Sequence, residues 1–268
     1  MDEKAPKRGK AVYAFIDAAN LFYGGEKSLR WRIDYAKLLG YLKTKVGASK
    51  VFYYAGVDVD QYKAEEGKEI NLDDLVEYYQ EQLLNKTKTE DEIVLLGRHL
   101  DRAKFYRDLQ SFGYDLRIKP TKVFTSAEGT TTTKANCDVD LTFDMMRYMS
   151  QYKEALVLSG DGDFAPILEY LKRKKKKIRV MARSERTARE VRTIAGDDFV
   201  DFKTIRKEVE AVKTKTEFVK AVIPREEGTP SIQKEEIITE KVDYEKPRHF
   251  WEKKIQPKRK IPTFRKGF

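Results

Sequence analysis

The chain has 268 residues, with 54 lysines and arginines against 44 aspartates and glutamates, and a formal charge of +10. This length is enough for one large domain with an appendage, or for two small domains. The single cysteine, Cys137, excludes an internal disulfide framework, and two histidines are too few to complete a multi-cysteine zinc site. There is no apolar run of about 18 residues and no apolar signal region near the N-terminus, so we expect an intracellular, soluble, cytoplasmic protein.

The positive charge is concentrated in two segments. Lys246–Phe268 has a net charge of +8 and Lys172–Lys177 has +6, which leaves −4 for the remainder of the chain. Basic runs are often only solvated surface. Two separate basic segments on a mildly acidic body nevertheless favour contact with a polyanion.

Apolar strands and amphipathic helices alternate over the first 203 residues. In chain order we predict strand 11–16, helix 34–46, strand 50–57, helices 72–84 and 100–111, strand 114–124, polar loop 125–133, helix 138–152, strand 155–158, helix 164–174, strand 177–182, helix 184–195 and strand 199–202. Buried strands that alternate with helices are typical of a parallel sheet covered on both faces. The predicted fold class is therefore α/β.

Composition divides the chain into an N-terminal extension (1–10), a folded domain (11–203), and a linker with a basic tail (204–268). Prolines in the tail favour an extended segment. The tail also carries aromatic and aliphatic residues that a purely solvating segment would lack, namely Phe250, Trp251, Ile255, Ile261, Phe264 and Phe268. We therefore expect residues 246–268 to order against a ribonucleoprotein or protein partner.

Acidic clusters occur at two predicted strand ends and at one predicted helix start. They are Asp17 with Asn20, then Asp138, Asp140 and Asp144, and finally Asp161 and Asp163. The carboxyl ends of parallel strands converge on one crevice. Carboxylates gathered there raise one another's pKa unless a cation offsets their charge, and hard divalent ions with oxygen ligands do so. Two such ions can activate a water and stabilise the leaving oxygen, so we predict phosphodiester hydrolysis.

Each cluster also has a simpler structural interpretation. Asp138 could cap the helix, and Asp140 and Asp144, four residues apart, could face solvent. Asp17 and Asn20 could form an Asx turn, and the SGDGD segment could be a flexible turn. Their joint placement at strand ends and one helix start favours a common site.

At these residues the sequence resembles the NYN family of PIN-like ribonucleases, in its bacterial group. The matching segments are FIDAANLF (Phe15–Phe22), KANCDVDLTFDMM (Lys134–Met146), LSGDGDFAPILEYLKRKKKKIRVMA (Leu158–Ala182) and SERTAREVRTIAGDDFVDF (Ser184–Phe202). The resemblance covers residues 10–203. It implies a three-layer α/β/α sandwich with a mainly parallel, PIN-like sheet and a metal-dependent, RNA-cleaving site.

The same resemblance implies residue roles. Asp17, Asp138 and Asp161 would be catalytic metal ligands, with Asp163 as a further ligand or a carboxylate behind them. The supporting residues would be Asn20, which orients Asp17, together with Asp140, Asp144 and Ser159.

Our leading hypothesis is a Mg²⁺- or Mn²⁺-dependent ribonuclease. The RNA backbone would be held near the crevice by Lys134 and by the basic run, which consists of Lys172, Arg173, Lys174, Lys175, Lys176 and Lys177. Tyr53, Tyr54 or Phe22 could stack on bases, although aromatic residues on strands usually belong to the core. Cys137 is expected to be a small packing residue.

Two other functions remain to be compared with this one. The first is a catalytically weak or inactive RNA- or ribonucleoprotein-binding scaffold that docks through its basic tail. The second is a phosphatase like the haloacid dehalogenases, which requires an Asp-x-Asp nucleophile. Ala18 and Ala19 follow Asp17, so the phosphatase is disfavoured.

Overall fold

The computed structural model describes residues 11–59, 62, 70–85, 87–125 and 131–211. Its strands are β1 (Val12–Asp17), β2 (Ala48–Val57), β3 (Asp115–Pro120), β4 (Lys122–Thr125), β5 (Thr131–Lys134), β6 (Glu154–Leu158), β7 (Lys177–Ala182) and β8 (Phe199–Asp201). The predicted N-terminal extension and the tail from residue 212 lie outside the described residues.

Helices connect the strands of the sheet, except that β3, β4 and β5 follow one another directly. The helices are α1 (Ala18–Asn20), α2 (Lys27–Leu29), α3 (Tyr35–Tyr41), α4 (Leu72–Leu84), α5 (Glu90–Phe112), α6 (Asp138–Arg147), α7 (Ala165–Arg173), α8 (Arg189–Ala195) and α9 (Arg206–Val209). Two π-helical segments continue α1 and α3, at Leu21–Glu26 and Leu42–Val46. Short 3₁₀ turns lie at Gly162–Phe164, Ser184–Arg186, Gly196–Asp198 and Phe202–Ile205.

Six strands form one sheet in the order β3-β2-β1-β6-β7-β8, and every neighbouring pair is parallel. From β1 the chain builds outward through β2 and β3, then returns to the other side of β1 with β6. The boundary between β1 and β6 is therefore the point where the strand order changes direction. Ligands of open α/β sheets bind at the carboxyl ends of the strands at such a point.

Two hydrophobic cores cover the two faces of the sheet. Alternate residues of β1 divide between them, with Ala14 and Ile16 in one core and Tyr13 and Phe15 in the other. Helices α3, α4, α5 and α9 cover the first face, and α6, α7 and α8 cover the second. The predicted three-layer α/β/α sandwich with a mainly parallel sheet is confirmed.

Helix α5 is longer than predicted. It begins with a capping box in which Thr89 and Glu92 satisfy each other's backbone N–H groups, and it ends at Gly113, whose φ is 100°. The predicted helix 100–111 is only the second half of this element. The first turn of α5 is acidic and exposed, so its sequence lacks the apolar stripe on which the prediction depended.

Four other predicted elements have different bounds in the structure. The predicted strand 114–124 divides into β3 and β4, because β4 leaves the sheet to pair with β5 as an antiparallel hairpin. The last residues of the predicted polar loop 125–133 are part of β5. The predicted helix 138–152 ends at Arg147, and the predicted helix 184–195 is a 3₁₀ turn followed by α8.

The described fold continues past residue 203, where we predicted the domain to end. Phe202, Ile205 and Val209 are buried in the first core. The chain then pairs with the segment before α3, where the Asp34 N–H donates to the Val209 carbonyl at 2.8 Å and Ile33 bridges to Glu210.

Candidate active site

Asp17 lies at the carboxyl end of β1, beside the end of β6. The two strands pair as far as Ile16 opposite Leu158, so Asp17 and Ser159 emerge side by side. The Ser159 hydroxyl donates to Asp17 Oδ2 at 3.1 Å, and the Asn20 backbone N–H donates to Asp17 Oδ1 at 3.1 Å. The bond from Asn20 makes Asp17 the N-cap of α1, in place of the Asx turn that we considered, and Asp17 is also joined across the strands.

The loop after β6 is held against α1 by side chains of the predicted site. The Gly160 N–H donates to Asn20 Oδ1 at 2.9 Å, and the Asp161 N–H donates to Ser159 Oγ at 3.2 Å. Asp161 Oδ1 accepts the Asp163 N–H at 3.0 Å and so caps the following 3₁₀ turn. Asp163 itself is exposed at the rim of the loop.

Asp17 is 8% exposed, and its electrostatic surroundings are acidic. Burial raises the pKa of Asp17 to about 6, and the carboxylates of Asp138 and Asp161 also raise it. The hydrogen bonds from Asn20 and Ser159 lower this pKa but do not offset burial. We call Asp17, Asp138 and Asp161 the carboxylate site.

Asp138 is not the N-cap of α6. Cys137 occupies the cap position without a side-chain hydrogen bond, and the Asp138 N–H is taken by Asn136 Oδ1 at 3.2 Å. The capping interpretation of Asp138 is therefore wrong. Burial raises the pKa of the Cys137 thiol to about 12, so this cysteine stays protonated and packs against the second core, as expected.

Asp140 and Asp144 have basic partners of their own. Asp144 is buried and accepts hydrogen bonds from the Tyr54 hydroxyl and from Arg117 Nε, each at 3.0 Å. Asp140 forms an ion pair with Lys119. Asp144 thus joins α6 to the strands β2 and β3, and the supporting role that we gave both carboxylates stays a prediction.

A basic segment that we did not predict packs directly on the loop after β6. The Ala188 N–H donates to the Gly160 carbonyl at 2.9 Å, and a Cβ atom at Gly160 would lie 3.0 Å from the Thr187 Cα atom. Arg186 and Arg189, both exposed, lie on either side of Thr187 and Ala188 in the sequence. Glycines in SGDGD indicate a close approach of another backbone, but the sequence does not say which segment makes it.

The basic run 172–177 lies at the opposite edge of the sheet. It joins the end of α7 to the start of β7, whereas the carboxylate site lies at the strand ends. Helix α7 has nine residues and spans about 14 Å, which carries the run away from Asp161. Contrary to our expectation, the run therefore does not lie beside the crevice, and RNA binding by these residues stays a prediction.

The other residues considered as RNA contacts are three aromatic residues and Lys134. Tyr53 and Tyr54 are buried, so they belong to the cores and cannot stack on a base. Phe22 is half-buried against Tyr23. Lys134 is the last residue of β5, and its side chain lies outside what the structure describes.

The donor set suits a hard divalent cation. Three carboxylates that influence one another offer oxygen ligands, and a bound cation would remove the penalty on a charged Asp17. Within the described residues, no three acidic, thiol or imidazole side chains converge as a formed metal cage.

The model of the NYN domain family matches residues 11–206. The chain belongs to the NYN domain family. The Low amplitude and bright protein LabA of Synechococcus elongatus is 26% identical over 220 residues, which are 81% of this chain and 96% of LabA.

Solved structures extend the comparison of this NYN chain to its fold. The crystal structure of VPA0982, a protein of unknown function from Vibrio parahaemolyticus, aligns with a TM-score of 0.50 and 19% identity, over 79% of this chain and 100% of that one. This likeness shows a shared fold. The T5 D15 protein, co-crystallized with metal ions, aligns over 68% of this chain and 59% of its own at 15% identity, with a TM-score of 0.37.

No helix within the described ranges has the length and apolar character needed to cross a bilayer.

Proposed function

We propose that this NYN-domain chain is a metal-dependent ribonuclease that hydrolyses RNA phosphodiester bonds at the carboxylate site. The observation that carries the proposal is the buried Asp17 carboxylate at the switch point of the sheet, with the carboxylates of Asp138 and Asp161 close enough to raise its pKa further. An NYN family member with such a site has the donor chemistry of a phosphodiesterase.

The residues at and around the carboxylate site would have distinct roles. Asp17, Asp138 and Asp161 would hold Mg²⁺ or Mn²⁺, and Asp163 would join them from the exposed rim. When bound, the metal supplies positive charge to the attacking water and to the leaving oxygen. Ser159 and Asn20 orient Asp17 and the loop after β6. Arg186 and Arg189 would contact the RNA backbone beside that loop.

The test is cleavage of mixed single-stranded and structured RNA with Mg²⁺, with Mn²⁺ or with EDTA. We expect cleavage with either metal, none in EDTA, and a loss of about a hundredfold or more in Asp17→Asn. Asp140→Asn is the matched control, because its carboxylate is engaged by Lys119, and we expect it to stay within about threefold of the unchanged protein. Equal cleavage by the Asp17→Asn and unchanged proteins would refute the assigned site. RNA binding without cleavage under any metal would favour the scaffold alternative.

A further inference from the structure

The strand starts, at the edge opposite the carboxylate site, carry cations from four different parts of the fold. Lys50 lies near the start of β2, Arg147 ends α6, and Lys153 directly precedes β6. Between α7 and β7 the chain adds Lys174, Lys175 and Lys176. We call these six residues the basic edge.

Contacts with tyrosine rings join three of these cations, Lys50, Arg147 and Lys176, into one surface. Lys50 Nζ lies 5.5 Å from the Tyr148 ring centroid, and the Arg147 guanidinium carbon lies 5.4 Å from the same centroid. Lys176 Nζ lies 5.4 Å from the Tyr152 ring centroid. Tyr13 packs between the two tyrosines, with centroid separations of 6.2 Å to Tyr148 and 5.5 Å to Tyr152.

The charge of the basic edge is not neutralised by the protein. Among the described residues, none of the six forms an ion pair with a carboxylate, whereas Arg173 pairs with Glu169 and Lys177 pairs with Asp198. Two ammonium groups donate to backbone carbonyls at 2.7 Å, Lys172 to Ile194 outside the basic edge and Lys176 to Tyr152 within it, and a neutral carbonyl leaves their charge in place. Among the described acidic residues at the strand starts, Glu154 is paired with Arg179, and Asp115 at the start of β3 lies near Tyr13.

We propose that the basic edge is a second RNA-binding surface, which holds the phosphate backbone away from the bond that is cleaved. The proposal rests on the proposed function for its choice of polyanion. Clustered lysine and arginine side chains bind phosphates without regard to sequence, and they supply affinity that an acidic site cannot. The five residues of β6 separate the two edges by about 16 Å, so one RNA must extend over the surface to contact both.

The test compares two double charge reversals in the full chain. Lys153→Glu/Lys174→Glu alters the basic edge, and Arg98→Glu/Lys207→Glu changes the net charge equally at exposed positions on α5 and α9. Binding of a labelled single-stranded RNA of about 30 nucleotides, long enough to span both edges, is measured by fluorescence anisotropy in EDTA at several salt concentrations. The basic tail is common to all three proteins, so its contribution cancels.

We expect the basic-edge variant to bind RNA at least about tenfold more weakly. The slope of log affinity against log salt should also become smaller by about 1.4, because each of the two lost contacts with single-stranded RNA contributes about 0.7. The control should change affinity by less than about threefold. Equal weakening by both variants, or an unchanged salt slope, would overturn the proposal. So would binding of anionic phospholipid vesicles through these lysines that RNA does not compete away.

A separate readout distinguishes this proposal from the proposed function. The basic-edge variant should keep the unchanged protein's turnover number on a saturating short RNA, because its substitutions lie away from the carboxylate site. If Asp17→Asn cleaves as well as the unchanged protein while the basic-edge variant still loses RNA affinity, the ribonuclease site is refuted and the basic edge stands. If Asp17→Asn abolishes cleavage and the basic-edge substitutions leave RNA affinity unchanged, the basic-edge proposal is refuted and the ribonuclease site stands.

Discussion

At the scale of single residues, Asp17 carries a charge that the folded protein accommodates poorly without a cation. Its pKa of about 6 exceeds the ordinary value of 3.8, so the folded state binds this proton more tightly than the unfolded state. The resulting stabilisation is complete below pH 3.8 and is lost as the pH rises through about 6. The difference between the two pKa values corresponds to about 3 kcal/mol.

We therefore expect Asp17→Asn to stabilise the metal-free protein. In EDTA at about pH 8 the free energy of unfolding should rise by up to about 3 kcal/mol, and the gain should shrink towards zero near about pH 4, where Asp17 is protonated as well. Urea unfolding at both pH values measures this. Asp163→Asn, at the exposed rim, should stay within about 0.5 kcal/mol of the unchanged protein. A gain that is the same at both pH values would contradict the electrostatic explanation.

Asp144 is predicted to stabilise the fold, although it lies on the same helix as Asp138. Asp144→Ala would leave the Tyr54 hydroxyl and the Arg117 guanidinium without their shared acceptor. Because Arg117 is partly exposed, we expect a loss of about 2–4 kcal/mol, less than for a fully buried ion pair. Thermal unfolding measures the loss, and Asp140→Ala, which breaks a half-exposed pair, should cost less than about 1 kcal/mol. Equal effects of the two substitutions would contradict the anchoring role of Asp144.

At the scale of elements, the loop after β6 depends on a glycine. In Gly160→Ala the new Cβ atom would lie 2.8 Å from Thr187 Oγ1 and 3.0 Å from the Thr187 Cα atom, so the backbone before α8 would have to move. We expect a loss of about 1–3 kcal/mol in unfolding free energy and a reduced cleavage rate, because Gly160 also donates to Asn20. Thermal unfolding and RNA cleavage assays check the two effects.

Gly97→Ala is the matched control for that prediction. Gly97 lies inside α5, and a Cβ atom at this position would have nothing within 4 Å, so alanine should raise stability by about 1 kcal/mol through its higher helix propensity. If Gly160→Ala were as stable as Gly97→Ala, the backbone before α8 would move at little cost in free energy, and the prediction for Gly160 would be contradicted.

The elements that can be predicted well from sequence are those with one dominant pattern. The apolar run of β1 and the amphipathic stripe of α7 each allow one interpretation, and both occur within one residue of the predicted bounds. The start of α5 escapes prediction because its first turn is acidic, although the capping pair Thr89 and Glu92 is a usable signal. The β4–β5 hairpin has no apolar alternation to predict it, since its stability comes from pairing between strands.

The candidate site is predictable to the extent that it follows strand ends. The contact between Ser159 and Asp17 follows from the adjacency of β1 and β6, which topology rules favour but residue patterns do not specify. The position of the basic run depends on the length of α7, and the composition of the run does not indicate that length. Arg186 and Arg189 escape prediction because only the folded chain brings their segment to the loop after β6.

At the scale of the whole molecule, charge is separated across the sheet. Carboxylates gather at the strand ends, while the basic edge lies at the strand starts. The basic edge would attract an approaching polyanion, whereas the carboxylate site would repel its phosphates until a cation binds there. Salt should therefore weaken RNA binding more steeply than it weakens turnover on bound RNA.

Two truncated chains test where the folded domain ends. A chain that stops after Ala211 keeps the buried side chains of Ile205 and Val209 and the hydrogen bond from the Ala211 N–H to the Arg32 carbonyl, so its melting temperature should be within about 2 °C of the full chain. A chain that stops after Lys203 loses two buried aliphatic side chains, worth about 3–6 kcal/mol, which is a large part of a typical domain's stability. Scanning calorimetry of the two truncated chains should show a small shift for the first and a large one for the second. A large shift after removal of residues 212–268 alone would mean that the tail contributes to the stability of the domain, and equal melting of both chains would place the boundary at residue 203.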